Sequence, residues 1–516
     1  MNLTGIARLI FQKRAREVHS WCGKEQEFQE RLLLKLLRKA DATEFGKANG
    51  FSNILVEDNI PDAFSEGVPM RQYEDFRTYV MRMIEGERDV LWPGECRSFA
   101  QSSGTTGGRS KYIPVTNDGL RENHYKGASC SVALYLESNP RSRMFAGKGL
   151  VLGGSFANNV IEVNKGTLIG DLSATLIQRI YPLANMFRVP DKHTALLEDW
   201  EVKLPLLARK AADADITNIS GVPSWMMRVI LKVLELKGAD SLKEVWPHLE
   251  VFFHGGISFE PYRAEYKELC RGLDMHWSEV YNASEGYFSI SDNPGAPGMV
   301  LLVDAGVYYE FLPLGAEKTV MIGDVKVGKV YELVVSTING LWRYRTGDTV
   351  RIESLEPLRI SVAGRTKSYI NAFGEELMEE NAEKAIAEAC RLTGASIINY
   401  TAAPVYAHGK ERGRHQWLIE WKRKPDSIEK FAEILDLELR KVNSDYDAKR
   451  SHNIFLDSLE VVSMPEGIFD LWLSTSGNGK LGGQRKIPRL SNSRDISDRL
   501  IALAGTHNTN PTSLNA

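Results

Sequence analysis

QSSGTTGGRSKYIP, running from Gln101 to Pro114, has the composition of a polyphosphate cradle. Ser102, Ser103, Thr105 and Thr106 alternate with Gly104, Gly107 and Gly108, so hydroxyl donors stand among residues that tolerate unusual backbone angles and close approach to a ligand. The cations Arg109 and Lys111 follow at once. Beyond Pro114, Thr116-Asn117-Asp118 is a helix start whose N–H groups favour an anion. A solvated Gly/Ser/Thr linker is the bland alternative, but linkers rarely end in a run such as Tyr112-Ile113-Pro114-Val115. The spacing excludes two familiar phosphate loops. A Walker A loop needs glycine where Arg109 stands, and no Gly-x-Gly-x-x-Gly is readable here.

The chain has 516 residues, enough for at least two domains. Its 43% hydrophobic and 25% charged content is that of a globular protein. A net charge of −3 gives no general surface for nucleic acid or membrane, so a small-molecule partner is expected. Cys22, Cys96, Cys130, Cys270 and Cys390 are scattered without a Cys-x-x-Cys pair, which reads as free thiols in a reducing compartment. The histidines lack metal-ligand spacing. No signal peptide or membrane span is readable, so a cytoplasmic protein is expected. At the N-terminus Leu3, Ile6, Ala7, Ile10 and Phe11 recur at helical spacing and predict a packed amphipathic helix.

Periodicity predicts further helices over 25–40, with Phe28, Leu32, Leu33, Leu36 and Leu37 on one face, and near 73–87. Beyond the opening loop, strands and helices alternate: strands at 149–153, 216–219, 249–253 and 275–281, and helices at 195–212 with a break at Pro205, 224–236 and 261–271. Such alternation indicates an α/β fold with a parallel or mixed sheet, whose ligands bind beyond the carboxyl ends of the strands. At those ends stand His254-Gly255-Gly256-Ile257, a backbone-rich turn for a flat base, and Tyr281-Asn282-Ala283-Ser284-Glu285-Gly286-Tyr287-Phe288, which combines an aromatic, a hydroxyl and a carboxylate. Tyr344-Arg345-Thr346-Gly347-Asp348 follows a strand at 331–336 and places an acid fit for ribose hydroxyls. Each has a structural alternative: Gly255-Gly256 as a turn, Glu285 as a surface acid, Asp348 as a turn cap. Together they outline adenine, metal and ribose.

In this order the motifs resemble the Gretchen Hagen 3 family of acyl acid amido synthetases, in its bacterial type, within the acyl-adenylate-forming superfamily. The stretches 102–111, 281–288 and 344–348 are similar to the family's three ATP motifs. Gly364-Arg365-Thr366-Lys367 with Ile370-Asn371-Ala372-Phe373-Gly374-Glu375-Glu376 resembles the superfamily hinge, and Gln484-Arg485-Lys486-Ile487-Pro488-Arg489 the segment with a catalytic lysine. The resemblance implies a large N-terminal ATP- and acyl-acid-binding domain with mixed sheets over 1–366 and a smaller mobile α+β domain over 367–505, with the nucleotide at their junction. The second domain also has its own pattern: helices over 375–390 and 428–441, strands over 395–405 and 415–421. A polar, flexible tail is expected from Thr506.

The implied reaction is adenylation of a small carboxylic acid by ATP with Mg²⁺, followed by transfer of the acyl group to an amine, most readily that of an amino acid. Charge then builds on phosphate oxygens, so donors and cations matter more than a covalent nucleophile. By resemblance Ser102, Ser103, Gly104, Thr105 and Thr106 hold phosphates, Glu285 helps bind Mg²⁺, Gly255, Gly256 and Tyr281 surround adenine, Ser284 reaches the α-phosphate and Asp348 the ribose. Lys486 stabilises the pentavalent phosphorus and Lys367 is the hinge pivot, with plain solvated lysines as the alternatives. Arg345 is open between a phosphate contact and an ion pair. Val222 and Trp225, in Val222-Pro223-Ser224-Trp225-Met226-Met227, are candidates for the acyl-pocket wall, with a core role as the alternative. An acyl-CoA synthetase on the same scaffold is the nearest rival. A serine hydrolase using Ser284 is a further one, although the first glycine of Gly-x-Ser-x-Gly is missing. The acid, the amine and the oligomeric state, monomer or dimer, are not encoded in these motifs.

Overall fold

A computed structural model describes residues 2–102, 111–156, 166–259, 262–293, 295–365, 369–406, 412–451, 456–475 and 488–509. They form two compact units, meeting in sequence between residues 365 and 369.

The first unit is organised by an eleven-stranded mixed sheet. In chain order the strands of this unit are β1 (Ser98–Ser102), β2 (Lys111–Pro114), β3 (Lys148–Val151), β4 (Leu168–Gly170), β5 (Arg188–Val189), β6 (Ile216–Gly221), β7 (Val251–Gly255), β8 (His276–Asn282), β9 (Tyr287–Ile290), β10 (Met299–Leu301), β11 (Val307–Pro313), β12 (Val330–Thr337), β13 (Tyr344–Leu355) and β14 (Leu358–Arg365). The large sheet runs β11-β12-β13-β14-β10-β9-β8-β7-β6-β3-β5, while β2-β1-β4 form a small separate sheet. From β5 to β8 the strands are parallel, as strand and helix alternation predicts; from β8 to β11 they are antiparallel. The register puts Gly221 beside His254 and Gly255 beside Val280, so the carboxyl ends of β6, β7 and β8 come level.

Helices cover this sheet for reasons visible in their spacing. Glu25–Ala40 buries Leu32, Leu33, Leu36 and Leu37 as predicted, while Phe28 is half-buried. Gln29 shares that buried face because it serves sheet backbone: its Nε2 donates to the Val303 and Val307 carbonyls at 2.8 and 2.9 Å, and its Oε1 accepts from Tyr309 N at 2.7 Å. Thr4–Trp21 is helical, but its packed face is not the expected one. Ile6 and Ile10 are 56% and 65% exposed, and burial falls on Ala7, Arg14, Ala15, Val18 and Trp21, because the buried Arg14 pairs with Asp304 at 2.6 Å and fixes the helix rotation. Trp200–Ala212 runs through Pro205 without breaking. Leu207, Ala208 and Ala211 hold the turns after the proline in the core, and that packing outweighs the hydrogen bond that Pro205 cannot donate.

The second unit is α+β. Its strands are β15 (Tyr369–Ile370), β16 (Leu377–Met378), β17 (Ser396–Val405), β18 (Arg414–Arg423) and β19 (Glu460–Met464). The central β18 is flanked by antiparallel β17 and parallel β19, and is buried on both faces. Trp417, Ile419 and Trp421 pack toward the helices Glu379–Thr393 and Ile428–Val442, whereas Leu418 joins Met464, Ile468, Phe469 and Leu500. The helix Asp495–Thr509 continues four residues into the expected tail, propagated from the packed Leu500 and Leu503.

Arg343 ties the first unit together. Its guanidinium is bidentate on Glu310, with side chains 5% and 1% exposed, and it donates to the carbonyls of Ser65 and Val68. Arg343→Met strands a buried carboxylate and is expected to cost about 3–5 kcal/mol, read as a lowered urea midpoint. The same change at exposed Arg97, which pairs with Glu95, should leave the midpoint in place.

Candidate active site

Residues 103–110 connect two paired strand ends, since Ser102 lies opposite Lys111 in the β1–β2 register. Lys111 is 7% exposed, and its ammonium lies over the rings of Tyr73 and Tyr344 at 6.0 and 5.9 Å. Its Nζ donates to Tyr344 Oη at 3.2 Å, and Tyr344 Oη donates in turn to Glu285 Oε1 at 3.4 Å. Tyr281 Oη donates to Asp348 Oδ2 at 2.6 Å. Three motifs spread over more than two hundred residues of chain therefore meet side chain to side chain.

That meeting requires a curled sheet. Tyr281 is on β8 and Asp348 on β13, four strand steps apart, which in a flat sheet is roughly 19 Å at about 4.8 Å per step. Asp348 is not a turn cap but a strand residue within β13. Gly347, at φ +79°, sits where the β12–β13 register slips, a bulge that turns the neighbouring side chains out of the ordinary alternation. Arg345 resolves as an ion pair, with its guanidinium 2.6 Å from Glu332.

Ser284 and Glu285 occupy the turn between β8 and β9, closed by Ala283 N to Gly286 O at 2.9 Å and Gly286 N to Ala283 O at 3.2 Å. No histidine bonds Ser284 among the described residues, so the nucleophile-elbow reading lacks a base. Gly255 has a structural reason to be glycine, because a Cβ there would fall on the Val280 carbonyl of β8. Gly256 has φ +84°, and a Cβ on it would lie 3.3 Å from Val222 Cγ2, so Val222 and Gly256 are neighbours at the ends of β6 and β7. Trp225 is half-buried and packs edge-on against Trp200 at 5.9 Å; Met226 is fully buried, as its core reading holds. Ser103, Gly104, Thr105, Thr106, Lys367 and Lys486 lie outside the described residues.

Two buried histidines adjoin this region: His254, which opens the glycine motif but had no role of its own assigned, and His124, which lies in no motif. His254 precedes the glycine pair, is 3% exposed, and stacks on Phe259 at 4.2 Å; burial, reinforced by Arg263, pushes its pKa down to about 3. His124 is 1% exposed and bonds Asn282 Oδ1 at 3.3 Å; burial brings its pKa to about 4 against that hydrogen bond. Neither has a spacing signal, since a lone histidine inside a helical or apolar run is silent about its tertiary neighbours.

The described fold is that of the acyl-adenylate-forming enzymes. It resembles AtGH3.15 acyl acid amido synthetase in complex with 2,4-DB, with a TM-score of 0.60 at 19% identity over 95% of this chain and 96% of that one. It also resembles 2-hydroxyisobutyryl-CoA ligase in complex with 2-HIB-AMP and CoA, with a TM-score of 0.55 at 11% identity over 93% of each chain. The sequence is 24% identical to indole-3-acetic acid-amido synthetase GH3.4 of Arabidopsis thaliana, covering 89% of this chain and 88% of that protein. It is likewise 24% identical to jasmonoyl-L-amino acid synthetase JAR6 of Nicotiana attenuata over 63% of this chain and 66% of that one. It matches the GH3 family N-terminal domain over residues 14–275, the central domain over 300–365 and the C-terminal domain over 380–495. The chain belongs to the GH3 family.

Both histidines are held neutral, with folded pKa values below the ordinary 6.5. The stability they carry is complete above pH 6.5 and is lost as pH falls toward 4 and 3. For His124 the difference between 6.5 and about 4 corresponds to ~3 kcal/mol. Urea midpoints should therefore fall between pH 6.5 and 4. His254→Phe, which keeps the ring stack, should flatten that fall by about 1.4 kcal/mol per pH unit; an unchanged slope would show that His254 titrates normally.

Proposed function

We propose that this protein is an ATP-dependent ligase that activates a small carboxylic acid as its acyl-adenylate and transfers the acyl group to the amine of an amino acid. A carboxylate oxygen attacks the α-phosphorus, the bond to pyrophosphate breaks, and acyl-AMP forms. The amine nitrogen then attacks the acyl carbon, AMP leaves, and the amine proton passes to solvent. The carrying observation is the direct contact of the first, second and third motifs through Lys111, Tyr344 and Glu285, and through Tyr281 and Asp348. Family membership supports the same reading.

The residue roles follow from donor chemistry. Ser102 with Ser103, Gly104, Thr105 and Thr106 holds the β and γ phosphates, with Lys111 as a nearby fixed cation. Asp348, anchored by Tyr281, accepts from the ribose hydroxyls. Gly255, Gly256 and Tyr281 border the adenine, Ser284 reaches the α-phosphate, and Val222 with Trp225 contributes to the acyl wall. Glu285, half-buried and bonded by Tyr344 Oη, is the carboxylate that would hold a nucleotide-bound Mg²⁺, and the ion would supply charge neutralisation on the phosphates. Lys486 stabilises the phosphorane, and Lys367 is the pivot between a large domain of residues 1–366 and a small mobile one of 367–505. Both lysine roles rest on motif position alone. The protein acts in the cytoplasm on small molecules, without nucleic acid or membrane.

Pyrophosphate exchange into ATP over a panel of small carboxylic acids tests the first half-reaction. Exchange should appear with a subset of acids and disappear in Glu285→Ala and Asp348→Ala at wild-type thermal stability. For the productive acids, amide formation with an amino acid separates this enzyme from an acyl-CoA synthetase, which would consume CoA thiol. Lys486→Ala should lower the exchange rate ~10² to 10³-fold; a rate within threefold of wild type would remove Lys486 from catalysis.

A further inference from the structure

The turn bearing Ser284 and Glu285 is gripped at both ends by two consecutive residues, Asn123 and His124. On the β9 side, Asn123 Oδ1 accepts from Tyr287 N at 2.7 Å, and its Nδ2 donates to the Tyr287 and Ala305 carbonyls at 3.1 and 2.6 Å. On the β8 side, His124 Nδ1 faces Asn282 Oδ1 at 3.3 Å. With that oxygen as acceptor, the proton of the neutral ring sits on Nδ1, and Nε2, buried, has no partner among the described residues. Asn123 and His124 are each 1% exposed.

Both belong to the π-helical turn Leu120–His124, which opens into the helix Tyr125–Ser138. π-Helical turns are rare and concentrate at functional sites. The helix beyond the turn holds the same strand. Gly127 leaves no room for a Cβ beneath the Tyr287 ring, and Ser131 Oγ lies 2.8 Å from Tyr287 Oη. Gly286 is similarly closed in, since its Cβ would stand 2.8 Å from the Phe288 ring and 3.4 Å from Asn123 Oδ1. The four-residue turn is thus fixed at Asn282 and at Tyr287, and Glu285 projects from a span with little freedom to adjust.

We propose that Asn123 and His124 are positioning residues that set the Ser284–Glu285 turn, so that the Glu285 carboxylate meets Tyr344 and a magnesium-bound nucleotide at a fixed place. This rests on the reading of Glu285 as the magnesium-binding carboxylate. Neither residue touches substrate; each acts through the turn. Asn123 fixes the downstream end through backbone, and His124 fixes the upstream end through the Asn282 side chain.

His124→Leu removes the donor at similar bulk, and His124→Asn restores an amide donor near the Nδ1 position. In His124→Leu, hydrogen exchange of the 283–286 amides in the nucleotide-free protein should rise about tenfold. Calorimetric affinity for α,β-methylene-ATP with magnesium, and the half-saturating magnesium concentration for pyrophosphate exchange, should both worsen about 10- to 100-fold. The KM for the acid should stay within twofold, and His124→Asn should recover most of each loss. If His124→Leu does not fold, Asn282→Ala deletes the same bond from its half-buried side and carries the same expectations. Unchanged amide exchange and unchanged magnesium–nucleotide affinity would overturn the inference, as would a loss of stability with no selective change in either. Failure of the proposed function is a separate outcome: in that case Glu285→Ala exchanges pyrophosphate as wild type does, or no acid supports exchange, and the amide-exchange measurement still decides whether His124 sets the turn.

Discussion

The hydrogen bond from Tyr281 to Asp348 spans strands that lie four places apart in one sheet, and it forms only because that sheet rolls. Strand twist favours such curling, and the apolar interior makes it advantageous. Trp342, in the connection from β12 to β13, is fully buried and meets Phe51 at 4.7 Å, with Phe45, Phe64 and Trp92 about it, so aromatic rings seal that end of the antiparallel half. Once rolled, the antiparallel half returns Tyr344 and Asp348 to the carboxyl ends of the parallel half. The Gly347 bulge then supplies the local change of direction that a regular strand would not give.

Polar side chains buried in this frame act as fixed distances. Gln29 satisfies backbone groups of β11 and of the turn before it, Asn123 does the same for β9, and Arg343 joins the 65–68 segment to Glu310. Each would be costly if left half-paired, which makes alternative packings unfavourable and keeps the site residues in register. The buried histidines belong to the same economy of space: neutral, stacked or singly bonded, they fill positions where a charged ring would be expelled. Lys111 points instead to chemistry, a buried cation set between tyrosine rings and joined through Tyr344 Oη to the Glu285 carboxylate.

The second unit shows the same device on a smaller scale. Glu375, fully buried, accepts from Ala372 N at 3.2 Å, from Phe373 N at 2.6 Å, and faces His415 Nε2 at 2.8 Å. It holds the connection between β15 and β16, where Gly374 and Glu376 both have positive φ. That connection is part of the stretch whose sequence resembles the superfamily hinge motif, so the backbone there is defined by internal bonds rather than left to solvent.

Much of the architecture was written in local pattern. The leucine spacing of 25–40 specified its helix to the residue, and the β6, β7 and β8 runs announced a parallel sheet, because side-chain period depends only on near neighbours. The motifs around Ser102, Ser284 and Asp348 likewise declared nucleotide chemistry by residue type and order. What local pattern could not carry was decided by partners distant along the chain. Arg14 and Asp304 turned the first helix away from its predicted face, exposing Ile6 and Ile10; Glu332 claimed Arg345; core packing of Leu207, Ala208 and Ala211 kept Pro205 inside a helix. The grip of Asn123 and His124 on the Glu285 turn was equally invisible, since two ordinary residues in a helical run acquire that role only when folding brings β8 and β9 against them. Sequence alone determined which chemical groups the protein owns and in what secondary structures they stand; the tertiary structure decided which of them touch, because burial and pairing energies act between residues that the chain itself keeps far apart.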